Sequence, residues 1–95
     1  MNATEYPIAK FKLGKIVSTP NALSQLTQED IVRGIHRHQS GDWGDVDSDD
    51  HQANERALIE KTRLWSVYYT TKGAKFWLIT EADRSITTVL LPEDY

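Results

Sequence analysis

From Arg63 to Leu91 apolar residues recur with a period of two, and the alternation is interrupted by two short links. That period puts successive side chains on opposite faces of an extended chain, so the spacing predicts strands at 63–70, 75–81 and 85–91. The links Thr71-Lys72-Gly73-Ala74 and Ala82-Asp83-Arg84 are shorter than the dozen or more residues a parallel crossover needs. The three strands are therefore expected to run antiparallel, as a meander. If Tyr69 pairs with Phe76 and Thr80 with Ile86, one face carries Trp65, Val67, Tyr69, Phe76, Leu78, Ile86, Thr88 and Leu90, the expected core. The opposite face then carries Leu64, Ser66, Tyr68, Trp77, Ile79, Thr87, Val89 and Leu91, and a slip of one residue exchanges the faces within a strand. The apolar residues of this second face exceed the roughly 300–600 Å² of the largest patch on a typical monomer. A cover is expected: either residues 10–18 fold across it, or two copies pack sheet to sheet as a homodimer.

The N-terminal half follows a helical period. Thr27 with Asp30 three residues later forms a capping box, with Asp in the usual Glu position, and Glu29 and Asp30 suit the positive end of a helix. A helix is expected from Gln28 to about Gln39, with Ile31, Val32, Ile35 and His38 on its apolar stripe. Ser48 is the expected cap of a second helix, Asp49 to about Lys61, with a thin apolar side of Ala53, Ala57 and Leu58. Upstream, Thr19-Pro20 starts a turn or first helical turn, and residues 10–18 read as a short strand interrupted by Gly14. The resulting fold class is α+β: two N-terminal helices packed on one face of a C-terminal antiparallel β-meander of at least three strands. Residues 1–9 read as a flexible arm and residues 10–95 as a single domain.

Composition removes several classes of function. The absence of cysteine excludes thiolate metal sites and cysteine nucleophiles and fits a reducing compartment, so a cytoplasmic location is expected. No apolar run approaches the ~20 residues of a membrane-spanning helix. A net charge of −3 argues against strong nonspecific DNA binding. The acidic stretch Asp45-Val46-Asp47-Ser48-Asp49 starts like a calcium loop, but Asp50 stands where glycine is needed and Arg56 where the bidentate Glu belongs. His36 and His38 lie about 200° apart around a helix and cannot share a metal. No metal and no cofactor are expected.

Two kinds of chemistry remain. His38, with Arg63 and Arg84 at strand boundaries and a hydroxyl such as Thr87, could bind and cleave a phosphodiester, although a histidine at a helix C-terminus is more often structural. Alternatively, Asp42, Trp43, Asp50, Asn54, Tyr68 and Trp77 could form a binding surface, with Tyr68 and Trp77 as cross-strand neighbours on the second face.

Arg37-His38, Gly41-Asp42-Trp43-Gly44, Asp50, Asn54, Arg63, Ser66, the run from Ile79 to Ser85, Thr87-Thr88 and the run from Leu90 to Tyr95 resemble a family of short bacterial proteins. These occur on plasmids, phages and other mobile elements, and some are labelled type I restriction endonuclease subunit M. The likeness spans nearly everything from Lys12 to Tyr95. The restriction label implies a methyltransferase, yet the chain has neither a Gly-rich cofactor motif nor an NPPF-like catalytic motif. A looser likeness is to small barnase-like and RelE-like ribonucleases, which implies His38, Arg63, Arg84 and Thr87 as catalytic residues by order along the chain. The leading expectation is a non-enzymatic, mobile-element-associated module that binds a protein partner, with modulation of host defence as its setting. The alternative is a small metal-independent ribonuclease or toxin-like enzyme acting on RNA.

Overall fold

The computed structural model describes residues 8–95; residues 1–7, most of the expected arm, lie outside the described residues. Strand β1 (Lys15–Ser18) leads into helices α1 (Pro20–Gln25), α2 (Gln28–Gln39) and α3 (Ser48–Glu60). Strands β2 (Leu64–Tyr69), β3 (Lys75–Thr80) and β4 (Ile86–Leu90) follow, and a 3-10 turn covers Pro92–Asp94. The architecture is α+β, with the helices preceding the meander and packed on one face of the sheet. The described residues form three helices rather than two, because the turn after Thr19 continues. The Thr19 hydroxyl accepts from the Ala22 N–H, and Pro20 occupies a position whose N–H has no helical partner anyway.

The sheet order is β1-β4-β3-β2. The last three strands are antiparallel, as their links require, while β1 pairs parallel with β4. Residues 10–18 therefore do not fold across the second face; their strand extends the sheet at its edge. The α2 capping box forms as expected, with Thr27 Oγ1 accepting from the Asp30 N–H and the Asp30 carboxylate accepting from the Thr27 N–H. The α3 cap is Asp47 and not Ser48: its carboxylate accepts from the Asp50 N–H at 2.8 Å.

The register differs by one residue in both hairpins. Tyr68 opposes Phe76 and Thr80 opposes Thr87. The inner face is consequently Leu64, Ser66, Tyr68, Phe76, Leu78, Thr80, Thr87, Val89 and Leu91. Only the β3 assignment of the expected core survives, and β2 and β4 exchange faces. In the second hairpin Arg84 adopts φ 61, a left-handed conformation that a non-glycine residue does not advertise in sequence. The main core joins Ala22 and Leu26 of α1 and Ile31 and Ile35 of α2 to Tyr68, Phe76, Leu78, Val89 and Leu91. Complete burial of Leu78 and Val89 contributes about 1.5–3 kcal/mol each. A second cluster sets Trp43, Ala57 and Leu64 against Phe11, Val46 and Leu58.

Candidate functional site

His38 sits where the α2 stripe meets the sheet. Helix and sheet approach closely here: a Cβ at Gly34, one turn earlier, would lie 3.0 Å from the Phe76 ring. The imidazole is fully buried, edge-on to Phe11 (ring centroids 5.1 Å) and to Trp43 (5.8 Å). Its Nδ1 lies 2.5 Å from Ser66 Oγ and its Nε2 2.9 Å from Thr80 Oγ1. Thr80 Oγ1 is 2.7 Å from Thr87 Oγ1, which donates to the Leu13 carbonyl at 2.7 Å.

These contacts admit one consistent order of protons. Each hydroxyl has a single hydrogen to donate. Thr87 uses its own on Leu13, so Thr80 donates to Thr87 and must accept from Nε2–H. Nδ1 then accepts from Ser66. The chain assigns the neutral Nε2–H tautomer and leaves no ring nitrogen over. Burial, reinforced by the charge of Arg84, pushes the His38 pKa down to about 3.

Of the four residues suggested for catalysis, Arg63 lies apart from the other three, and the Arg84 guanidinium, near enough for its charge to act on His38, is engaged with carbonyls. His38 and Thr87 share the buried chain. The Arg84 guanidinium donates to the carbonyls of Thr62 (2.7 Å), Ala57 (2.9 Å), Glu81 and Ala82, tying the end of α3 to the β3–β4 turn. Arg63 is on the other side of the sheet, donating to Glu81 Oε1 (3.3 Å) and to the Tyr95 hydroxyl (3.0 Å).

Most of the proposed binding residues close the free edge of β2. The Asn54 side chain is buried and imitates a neighbouring strand: Nδ2 donates to the Trp65 carbonyl (2.7 Å) and Oδ1 accepts from the Trp65 N–H (3.0 Å). One step along, the Val67 N–H donates to the Trp43 carbonyl and the Asp45 N–H to the Val67 carbonyl. Gly44, at φ +76, makes this bridge possible, because a Cβ there would fall 2.0 Å from the Val67 oxygen. Trp43 anchors the strap, buried to 1% and donating from Nε1 to Glu55. Asp42 holds the other end: Arg37 binds its carboxylate through Nε (2.7 Å) and Nη2 (3.3 Å), which lowers the Asp42 pKa, and the Tyr68 hydroxyl donates to its carbonyl. Asp50 lies in the first turn of α3, its N–H on Asp47. Tyr68 and Trp77, expected to be neighbours, point to opposite faces, since Tyr68 pairs with Phe76 and Trp77 with Val67.

Among the described residues no α-helix covers the outer face of the sheet. Trp65 packs edge to face on Trp77 (4.9 Å), and Trp77 on Tyr95 (5.6 Å). With Arg63 and Ile79 these rings line a cavity of about 110 Å³. Val67, Ile79 and Leu90 stay under 10% exposed on this face, while Tyr95 is 74% exposed. The buried Trp65 indole N–H has no acceptor among the described residues. Sequence reasoning singled out neither Trp65 nor Tyr95 as a binding residue. The i, i+2 relation of Trp65 to Val67 across from Trp77 is the usable signal, and reading it requires the register. Among the described residues, no group of three or more His, Asp or Glu side chains is placed to hold a metal ion. Comparison with protein-family models, with curated proteins and with solved structures finds no match for the chain.

Proposed function

We propose that this chain is a small, non-enzymatic protein-interaction module that binds through the outer face of its sheet, its first partner being a second copy of itself. The observation that carries this reading is the cluster of Trp65, Trp77, Tyr95 and Arg63 on a face that no described α-helix covers. Trp, Tyr and Arg are the residues in which binding energy concentrates at interfaces. Along β3 that face runs from the cation Lys75 through Trp77 and Ile79 to the anion Glu81. Two sheets stacked with their β3 strands antiparallel bring Lys75 of one copy towards Glu81 of the other, a self-complementary pattern that suits an isologous contact. In the mobile-element setting implied by the family likeness, a host defence protein would be a later partner of the same face.

The ribonuclease reading lacks comparable support. Its acid or base has no solvent exposure, both ring nitrogens are engaged, and a pKa of about 3 leaves the ring uncharged at neutral pH.

The expected result in sedimentation equilibrium is a reversible dimer in the micromolar range, weakened at least about tenfold by Trp77→Lys, a loss of roughly 1.4 kcal/mol. Wild-type protein that stays monomeric up to roughly 200 µM, a concentration at which a micromolar dimer would dominate, would sink the proposal.

A further inference from the structure

We propose that the cleft between residues 10–12 and the α3–β2 turn is a binding site for a compact, phosphate-bearing ligand. The cleft measures about 390 Å³, within the range of small-molecule sites, and lies apart from the outer face of the sheet. Lys10, Lys12 and Lys61 ring it, Arg84 adds a fourth cation, and Phe11 and Leu58 provide apolar lining. Its one carboxylate, Asp83, is turned to its own loop, accepting from the Ser85 N–H (3.0 Å) and hydroxyl (2.6 Å).

None of the three ammonium groups is paired with a carboxylate among the described residues. The described ion pairs are Arg33–Asp30, Arg37–Asp42 and Arg63–Glu81, all elsewhere. Four like charges around one concavity repel one another, and the chain that carries them is acidic as a whole, at −3.

The backbone supplies an independent observation. Among the described residues two non-glycine residues have positive φ, Lys61 (59°) and Arg84 (61°), and both line this cleft. The Arg84 conformation is accounted for by the four carbonyls that its guanidinium binds. Lys61 ends α3 in the left-handed position that glycine fills most easily, and among the described residues its ammonium forms no ion pair that would compensate. Lysine at this position therefore carries a conformational cost. Lys10 is also held in place, its N–H donating to the Gln39 carbonyl (2.8 Å) and the end of its side chain, ammonium included, lying beside Gly41.

A phosphate group, with up to two charges and several acceptor oxygens, answers several lysines and an arginine around one cleft better than one carboxylate does. The remaining surface is more acidic than the whole chain, so it repels a polyanionic strand running beyond the cleft. A compact ligand is favoured over nucleic acid.

The test is an NMR titration of ¹⁵N-labelled full-length protein at low ionic strength, with pyrophosphate in one arm and oligouridylate in the other. Saturable pyrophosphate shifts confined to residues 10–12, 58–61 and 82–84 are expected. Lys12→Ala and Lys61→Gly should each weaken binding about three- to tenfold, while Lys72→Ala, which removes the same charge elsewhere, leaves it unchanged. Lys61→Gly should also melt a few degrees higher, because glycine relieves the left-handed strain, so loss of ligand is separated from loss of fold. The site is refuted by shifts that do not saturate, or by equal weakening in all three variants. Tighter binding of oligouridylate than of pyrophosphate at these residues overturns the compact-ligand assignment.

Discussion

As the pH falls from 6.5 towards 4, the protein is expected to lose folding stability at about 1.4 kcal/mol per pH unit, and His38→Gln should abolish most of that slope. The direction follows from proton counts. In the folded state burial and Arg84 hold the His38 pKa at about 3, against 6.5 for the free side chain. Between these values the unfolded chain binds one more proton than the folded one, so stability increases with pH. The contribution is complete above pH 6.5, erodes as the pH falls, and levels off below about 3, for a total of up to about 5 kcal/mol. That is a large part of the 5–15 kcal/mol available to a small domain. The proton chain explains the sensitivity. Protonating Nδ1 sets two donors against each other, the new N–H and the Ser66 hydroxyl, in a site closed to solvent. Asp42, Asp83 and Asp94, whose pKa values lie below the usual carboxylate range, add their own acid lability only at the low end of this window. Urea denaturation at half-unit intervals from pH 7 to about 4 measures the slope. Equal slopes for wild type and His38→Gln would show that the buried ring is not the group responsible.

Asn54→Leu is the second large effect. It is expected to cost about 2–5 kcal/mol and to make the protein prone to aggregation, because the variant strands the N–H and carbonyl of Trp65 together. An unpaired group costs about 1–3 kcal/mol where water is excluded, and a bare strand edge is a template for another chain. Leucine has the same branched four-atom skeleton as asparagine, so the substitution leaves no cavity. Equilibrium unfolding with light scattering at rising concentration checks both parts, and Glu60→Ala, on the exposed side of α3, should stay within about 0.5 kcal/mol. If Asn54→Leu were as mild as that control, Asn54 would not be what closes the β2 edge.

Local chemistry was readable in the amino-acid sequence and long-range pairing was not. The span of α2 followed from Thr27 and Asp30, three residues apart, and the antiparallel meander from two short links. The sheet faces were misassigned for a physical reason. Ser66, Thr80 and Thr87 look like solvent-facing residues, yet they point inward because His38 needs hydroxyl partners, while Trp65 and Val67 occupy the face that no described α-helix covers. A buried polar chain inverts the alternation from which burial is normally inferred. The place of His38 on an apolar stripe was visible, whereas its partners, 28 and 42 residues away, depended on the register. The strap over the β2 edge has the same character, since nothing near Trp43 or Asn54 indicates which strand they meet. The helix-cap exchange of Ser48 for Asp47 is smaller, a choice between two adjacent residues that can both accept the N–H.

The parallel pairing of β1 with β4 also bears on how the chain reaches its structure. β4 is the last of the described strands along the chain, yet it lies inside the sheet between β1 and β3. The contacts that fasten it are very long-range: Thr87 reaches Leu13 across 74 positions, and Thr19 reaches Asp94 across 75. Closing loops of that length raises the contact order and slows the rate-limiting step relative to a purely local α+β arrangement. On the ribosome β1 emerges before the helices and has no strand partner until β4 is free of the exit tunnel, so the sheet cannot be completed before then. Folding of this unit is therefore expected to wait for β4 and to be all-or-none, with β1 the last strand to dock.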